Sequence, residues 1–125
     1  MRVLIIGSLQ GHATIAAHIA IKKGAKVTQV LTLDEGLNAL RTGRGAELVL
    51  VDVLLNVPHF LRAIESERIC APVVACGVNA NPKLAGEAIE AGAKEYLPLP
   101  PDPELIAAVI SAVATTLPLT FVSLL

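Results

Sequence analysis

At 125 residues, 54% of them hydrophobic and 17% charged, the chain has the size of one compact domain and enough apolar material to bury a real core. Its formal net charge is -1 and its ten lysines and arginines are scattered, which excludes the basic stripe that nucleic-acid binding requires. The N-terminal MRVLII turns at Gly7, too soon for a signal peptide, and no apolar run approaches membrane-spanning length, so the chain reads as cytoplasmic with no membrane contact.

The first apolar run, 3–6, breaks at Gly7 and Ser8, passes Gly11 and enters a helix for which Ser8 is a candidate cap. A second run, 27–31, follows Gly24 and leads into TLDE at 32–35. This has the form of a capping box, in which the Thr32 hydroxyl accepts from the amide near Glu35 and Glu35 reaches back. After Gly43 comes the run 48–51, then Asp52. The run 73–76 contains Cys76, which acts there as a small buried hydrophobe. Cys70 and Cys76 form no CxxC pair and His12, His18 and His59 are dispersed, so a metal or redox site is the lesser reading.

Asn81 before Pro82, and Asp102 before Pro103, each place a capping residue ahead of a proline at the first helical position. Gly24, Gly43 and Gly92 stand where helices stop. Leu84, Ala88 and Ile89 mark the buried stripe of one helix, and Leu105, Ile106, Val109, Ile110 and Val113 that of the last. Between these helices lies a weaker strand at 95–97. Residues 117–125, LPLTFVSLL, follow the domain at 1–116 as an apolar tail, read either as a linker or as an interface segment.

Runs 3–6, 27–31, 48–51 and 73–76 lack the alternation of a half-wet sheet and suit strands buried on both faces. The alternating order of strands and helices, with right-handed crossovers, predicts an α/β fold: a five-stranded parallel sheet, doubly wound, with helices on both faces. Ligands of such sheets collect beyond the carboxyl ends of the strands. That end holds Gly7 and Ser8, then Asp52, then Gly77, then Leu99 and Pro100. Asp52 directly follows LVLV, where a carboxylate either serves a ligand or caps nearby amides.

LVLVDV around Asp52, PVVACG at 72–77 and AGAKEYLPLPPDPELI at 91–106 together resemble the receiver domain of two-component response regulators over about residues 1–116. The resemblance implies a flavodoxin-like, CheY-like fold, with Asp52 at the phosphoacceptor position and Tyr96 as the switch aromatic. It also exposes departures. The two acidic residues that hold Mg2+ in an ordinary receiver align with Gly7 and Ser8, the hydroxyl residue after strand four with Gly77, and the lysine before the proline with Leu99. Magnesium needs several oxygen ligands, so Asp52 alone would bind it weakly. Without cation and lysine, phosphoryl transfer to a carboxylate is opposed by like charge. Phosphorylation is therefore expected to be slow or absent, with no cofactor, or Mg2+ only if phosphorylation is retained.

The strand-one glycine with a small polar residue, VDV, PVVACG and GAKEYLPLPPDPELIAAV give a narrower resemblance, to FlbD-type flagellar transcription regulators among the NtrC-like sigma-54 activators. That implies an N-terminal regulatory domain, ATPase and DNA-binding domains beyond this chain, and control by a flagellar-assembly partner of the FliX type. The face made by helix four, strand five and helix five would carry the contacts, and would serve a homodimer. It presents Lys83, Glu87 and Glu90, then Lys94, Glu95 and Tyr96, then Glu104. Tyr96, one of three aromatics, is expected to keep one dominant rotamer, because Gly77 lacks the hydroxyl that couples the usual switch.

Two alternatives stand beside this degenerate, non-enzymatic receiver. One is a working phospho-receiver using Asp52. The other is a Rossmann-type nucleotide-binding enzyme, suggested by Gly7 and Gly11 after a strand, but opposed by the bulk of Gln10 and His12 where a pyrophosphate would approach.

Overall fold

The computed structural model describes residues 1–42, 45–78 and 82–112. Strands β1 (Arg2–Ile6), β2 (Lys26–Val30), β3 (Leu48–Asp52), β4 (Val73–Val78) and β5 (Glu95–Leu99) alternate with helices α1 (Ala13–Lys22), α2 (Leu33–Thr42), α3 (Val57–Ser66), α4 (Pro82–Ala91) and α5 (103–112). All strand pairs are parallel, in the order β2-β1-β3-β4-β5, which is the doubly wound sheet the sequence predicts.

The missing alternation in the apolar runs has a direct cause. Val3 and Ile5, Leu48 and Leu50, and Val74 and Cys76 pack into one core layer with α1 and Ile106 of α5. Their neighbours Leu4 and Ile6, Val49 and Val51, and Val73 and Ala75 pack into a second layer against α2, α3 and Ala88 of α4, around the fully buried Phe60. Both sides of each central strand are dry, so both sides are apolar. Burial on both faces fails at β2, where Lys26, Thr28 and Gln29 are exposed and Leu31 just beyond the strand is 69% exposed. Among the described residues that strand pairs only with β1 and forms one edge of the sheet.

Several local signals are realised. Thr32 Oγ1 accepts from the Glu35 amide at 3.1 Å, but the glutamate closes the box on the Thr32 hydroxyl (3.0 Å) rather than on its amide. Asp102 Oδ1 accepts from the Glu104 amide at 2.8 Å, opening α5 at Pro103. Helices α1 and α4 end at Gly24 and Gly92, with Ala25 and Ala93 amides donating back to Ala20 and Ala88. Asn81, Gly43, Val113 and the tail 117–125 lie outside the described residues.

Other expectations change. Ser8 does not cap α1 with its hydroxyl; its backbone carbonyl accepts from the Gly11 and Ala13 amides, because an extra turn, Leu9–Gly11, intervenes and makes His12 the residue before the helix. Ile89 and Leu105 are 45% and 42% exposed, so the stripes of α4 and α5 are narrower than their apolar spacing suggests. Helix α3 is capped by Asn56, whose side chain accepts from the His59 amide (3.2 Å), and the chain leaves it through Arg68 in the left-handed region, where no glycine marks the stop. Among the described residues, no helix is long and apolar enough to cross a membrane.

Candidate functional site

The strand order reverses between β1 and β3, so the crevice of this sheet lies where Gly7 and Ser8 leave β1 and Asp52 ends β3. Asp52 is the one buried charged residue among those described, 5% exposed. Its Oδ1 accepts from the Leu54 amide at 2.9 Å, and its backbone carbonyl accepts from the Leu55 amide. Of the two roles open to this carboxylate, capping the following turn is therefore in use.

Gly7 is shaped for the absence of a side chain. Its φ is +93°, and a Cβ placed there would stand 2.8 Å from Asp52 Cβ and 3.2 Å from Leu55 Cδ1. Ser8 is exposed. Leu9 is driven fully into the core, and Gln10, also left-handed, sends its side chain across to accept from the Val78 amide at 2.8 Å. Leu9 and Gln10 are thus spent on the core and on β4, while Gly7, Ser8 and Gly11 border open space. A crevice of about 320 Å3 opens there, walled by Gly7, Ser8, Thr14, Gln29 and Leu31, and Asp52 is not among its walls. Gln10 was legible only as bulk; nothing in its spacing announces a bond to a strand 68 residues on.

Gly77 is buried in β4, and a Cβ there would run into the Tyr96 hydroxyl, stand 2.7 Å from Val53 Cγ1 and lie 3.3 Å from Tyr96 Cζ. The phenol therefore rests where a residue-77 side chain would begin. Burial holds the Tyr96 hydroxyl above the ordinary tyrosine range, with Cys76 and Asp52 acting in the same sense. Burial, and then the Asp52 charge, push the Cys76 thiol up to about 12, which makes it an inert hydrophobe. Cys70 is a free, exposed thiol.

Leu99 is 6% exposed and packs in the layer with α1 and Ile106, ahead of a cis bond to Pro100. Lys83, Glu87 and Glu90 share the exposed side of α4, Lys94 and Glu95 flank the start of β5, and Glu104 lies exposed in the first turn of α5. Tyr96 differs from these in being half-buried. An apolar groove of about 950 Å3, not evident from sequence, runs along β5 and α5 and is lined by Ile69, Tyr96, Leu97, Leu105 and Ala108.

No family model matches the chain. It is 52% identical over 113 residues to the transcriptional regulatory protein FlbD of Caulobacter vibrioides, a match covering 90% of this chain and 25% of that protein. The chain thus spans about a quarter of the length of this relative. Among solved structures, the receiver domain of NtrX from Brucella abortus superposes with a TM-score of 0.80 at 22% identity, covering 91% of this chain and 98% of that one. A two-component response regulator from Clostridium difficile gives 0.78 at 17% identity, covering 92% and 96%. The signal receiver domain of a Luxo repressor protein from Vibrio parahaemolyticus gives 0.82 at 17%, covering 98% and 95%. At these identities the structural likeness is one of fold.

Proposed function

As the chain belongs to the receiver domains of response regulators, in the form shared with FlbD, we propose that it regulates a transcription factor through protein contact and not through phosphorylation of Asp52. The observation that carries this reading is the packing at Gly7. A residue in that conformation and that close to Asp52 cannot be exchanged for a Mg2+-binding carboxylate without moving the backbone. Magnesium requires near-octahedral oxygen ligation. The residues present do not fit it: Asp52 brings one carboxylate with an oxygen engaged by Leu54, and among the described residues no three His, Cys, Asp or Glu side chains gather. The lysine position, Leu99, is spent on the core.

In this reading the domain acts in the cytoplasm, catalyses nothing, and touches neither nucleic acid nor membrane itself. Its partner is a flagellar-assembly protein of the FliX type, and the ATPase and DNA-binding domains of a sigma-54-dependent activator complete the regulator. Lys83, Glu87, Glu90, Lys94, Glu95 and Glu104 offer the charged rim of the contact face, which also suits a homodimer.

Titration of the chain with Mg2+ and beryllofluoride, followed by backbone amide NMR, tests this. No concerted shifts are expected at millimolar ligand. Saturable shifts centred on Asp52 and reaching Tyr96 would overturn the reading in favour of a working phospho-receiver. In a complete regulator, Asp52→Ala is expected to keep transcriptional output, and complete loss would do the same.

A further inference from the structure

We propose that residues 113–125 fold back as an intramolecular plug into the apolar groove along β5 and α5, so that the chain covers part of its own β5 face. The plug rests on the shape of the groove and the composition of the segment, and not on the receiver reading given above.

The groove holds about 950 Å3 between two apolar walls. One wall is the stripe Leu105, Ala108, Val109 and Ala112 of α5, at the three- and four-residue spacing that keeps side chains on one side of a helix. Leu105 is 42% exposed and Ala108 is exposed as well, whereas Ile106 beside them is 2% exposed in the core. Helix α5 thus has a second apolar side that the sheet does not take. The opposite wall includes Ile69 and Leu97. The charged residues of the lining, Glu47, Lys94 and Glu95, are all exposed and form its rim.

The segment VATTLPLTFVSLL at 113–125 suits this space. It contains no charged residue, and six of its last nine residues are leucine, valine or phenylalanine. No charge would be buried with it. It joins directly onto Ala112, which is itself in the groove wall. The nine residues from Ala112 to Phe121 span up to about 30 Å when extended, and Pro118 does not continue a helix, so reach and direction both allow a return. Tethering gives the segment an effective concentration of about millimolar, which a second copy or a separate protein at ordinary concentrations does not match. Groove and segment are each an association liability when bare, and each covers the other. A protein that binds along β5 must then displace the plug, which makes the segment an internal competitor for that face.

The 125-residue chain with labelled methyl groups tests this by NMR. Nuclear Overhauser contacts are expected between the Phe121 ring and the methyls of Leu105, Val109 or Leu97, within one molecule and at every concentration. Replacing Leu119 and Phe121 together by serine should abolish the contacts, shift those methyls and raise the fluorescence of anilinonaphthalene sulfonate severalfold, as the groove opens to the dye. Ala108→Glu, at an exposed position in the groove wall, should release the segment in the same way, and joining it to the serine pair should add nothing further. Should the serine pair fail to fold, Ala108→Glu and the wild-type contacts decide. Absence of Phe121 contacts with the groove in the wild type overturns the plug. Contacts found only between differently labelled molecules in a mixed sample overturn it in favour of a second copy as the occupant. Contacts that survive Ala108→Glu, or methyl shifts that are additive in the combined variant, overturn the groove as the place where the segment sits.

Discussion

The Gln10 side chain accepts a hydrogen bond from the Val78 amide across 2.8 Å, tying the loop after β1 to the end of β4. Val78 is the last residue of its strand and is partly buried. Its amide would otherwise depend on solvent. Gln10→Ala is expected to cost about 1–2 kcal/mol in urea denaturation, since a partly buried donor is left unpaired. Gln10→Glu, which keeps the acceptor, should cost less. Equal losses for both variants would show that the bond contributes nothing.

Gly7→Asp would restore one of the two acidic residues of an ordinary receiver. The position has φ +93°, and its Cβ would crowd Asp52 Cβ at 2.8 Å. A left-handed non-glycine residue and a core clash each cost about 1–2 kcal/mol or more, so the variant should be less stable by about 2 kcal/mol or more. Millimolar Mg2+ should not recover the loss. A Mg2+-dependent rise in the denaturation midpoint would mean that the loop can rearrange into a cation site.

Much of this was legible, because signals carried by a single residue and its near neighbours survive folding. The capping box at Thr32 and Glu35, the Asp102 cap and the Gly24 and Gly92 stops are local chemistry and stand as read. The parallel sheet with helices on both faces followed from dry apolar runs joined by helices. What sequence could not show depends on distant pairs. Gln10 reaches Val78, and Tyr96 occupies space beside Gly77, only because the sheet brings β1, β4 and β5 together. Position 77 therefore read as a lost hydroxyl, when its geometry is that of a cavity filled from the next strand. Leu31, Ile89 and Leu105 misled for a simpler reason: apolar spacing fixes a helix face or a strand, but not how much of it the sheet covers.

Leu99→Lys would restore the missing cationic partner of the site. Leu99 lies in the core layer with Ile5, Leu9 and Ile106, so the substitution buries an amine among hydrocarbon. The expected loss is about 2–5 kcal/mol, comparable to truncating a buried leucine and leaving a polar group unpaired. Leu99→Met, nearly equal in volume, should cost less than about 1.5 kcal/mol. A lysine variant as stable as the methionine one would show that the side chain escapes toward Asp52.

Arg41 near the end of α2 grips Glu67 just after α3 with two parallel bonds, Nε to Oε1 and Nη2 to Oε2, both 2.6 Å. The hydrogen bond from Arg41 outweighs the opposing effect of burial and holds the Glu67 carboxyl below its ordinary value of 4.5. A carboxyl lowered in the folded state binds fewer protons there than in the unfolded chain. Its contribution is therefore complete above the ordinary value and is lost as pH falls through the lowered one. Thermal denaturation of the wild type and Glu67→Gln should differ at pH 7, and the difference should close as the pH is brought down past that range. Both partners are solvent-exposed, so 1 M salt should also narrow it, the screening length there being about 3 Å. A difference that stays constant from neutral to acid pH would mean that the glutamine variant loses packing or chain geometry, and that the ion pair adds nothing of its own.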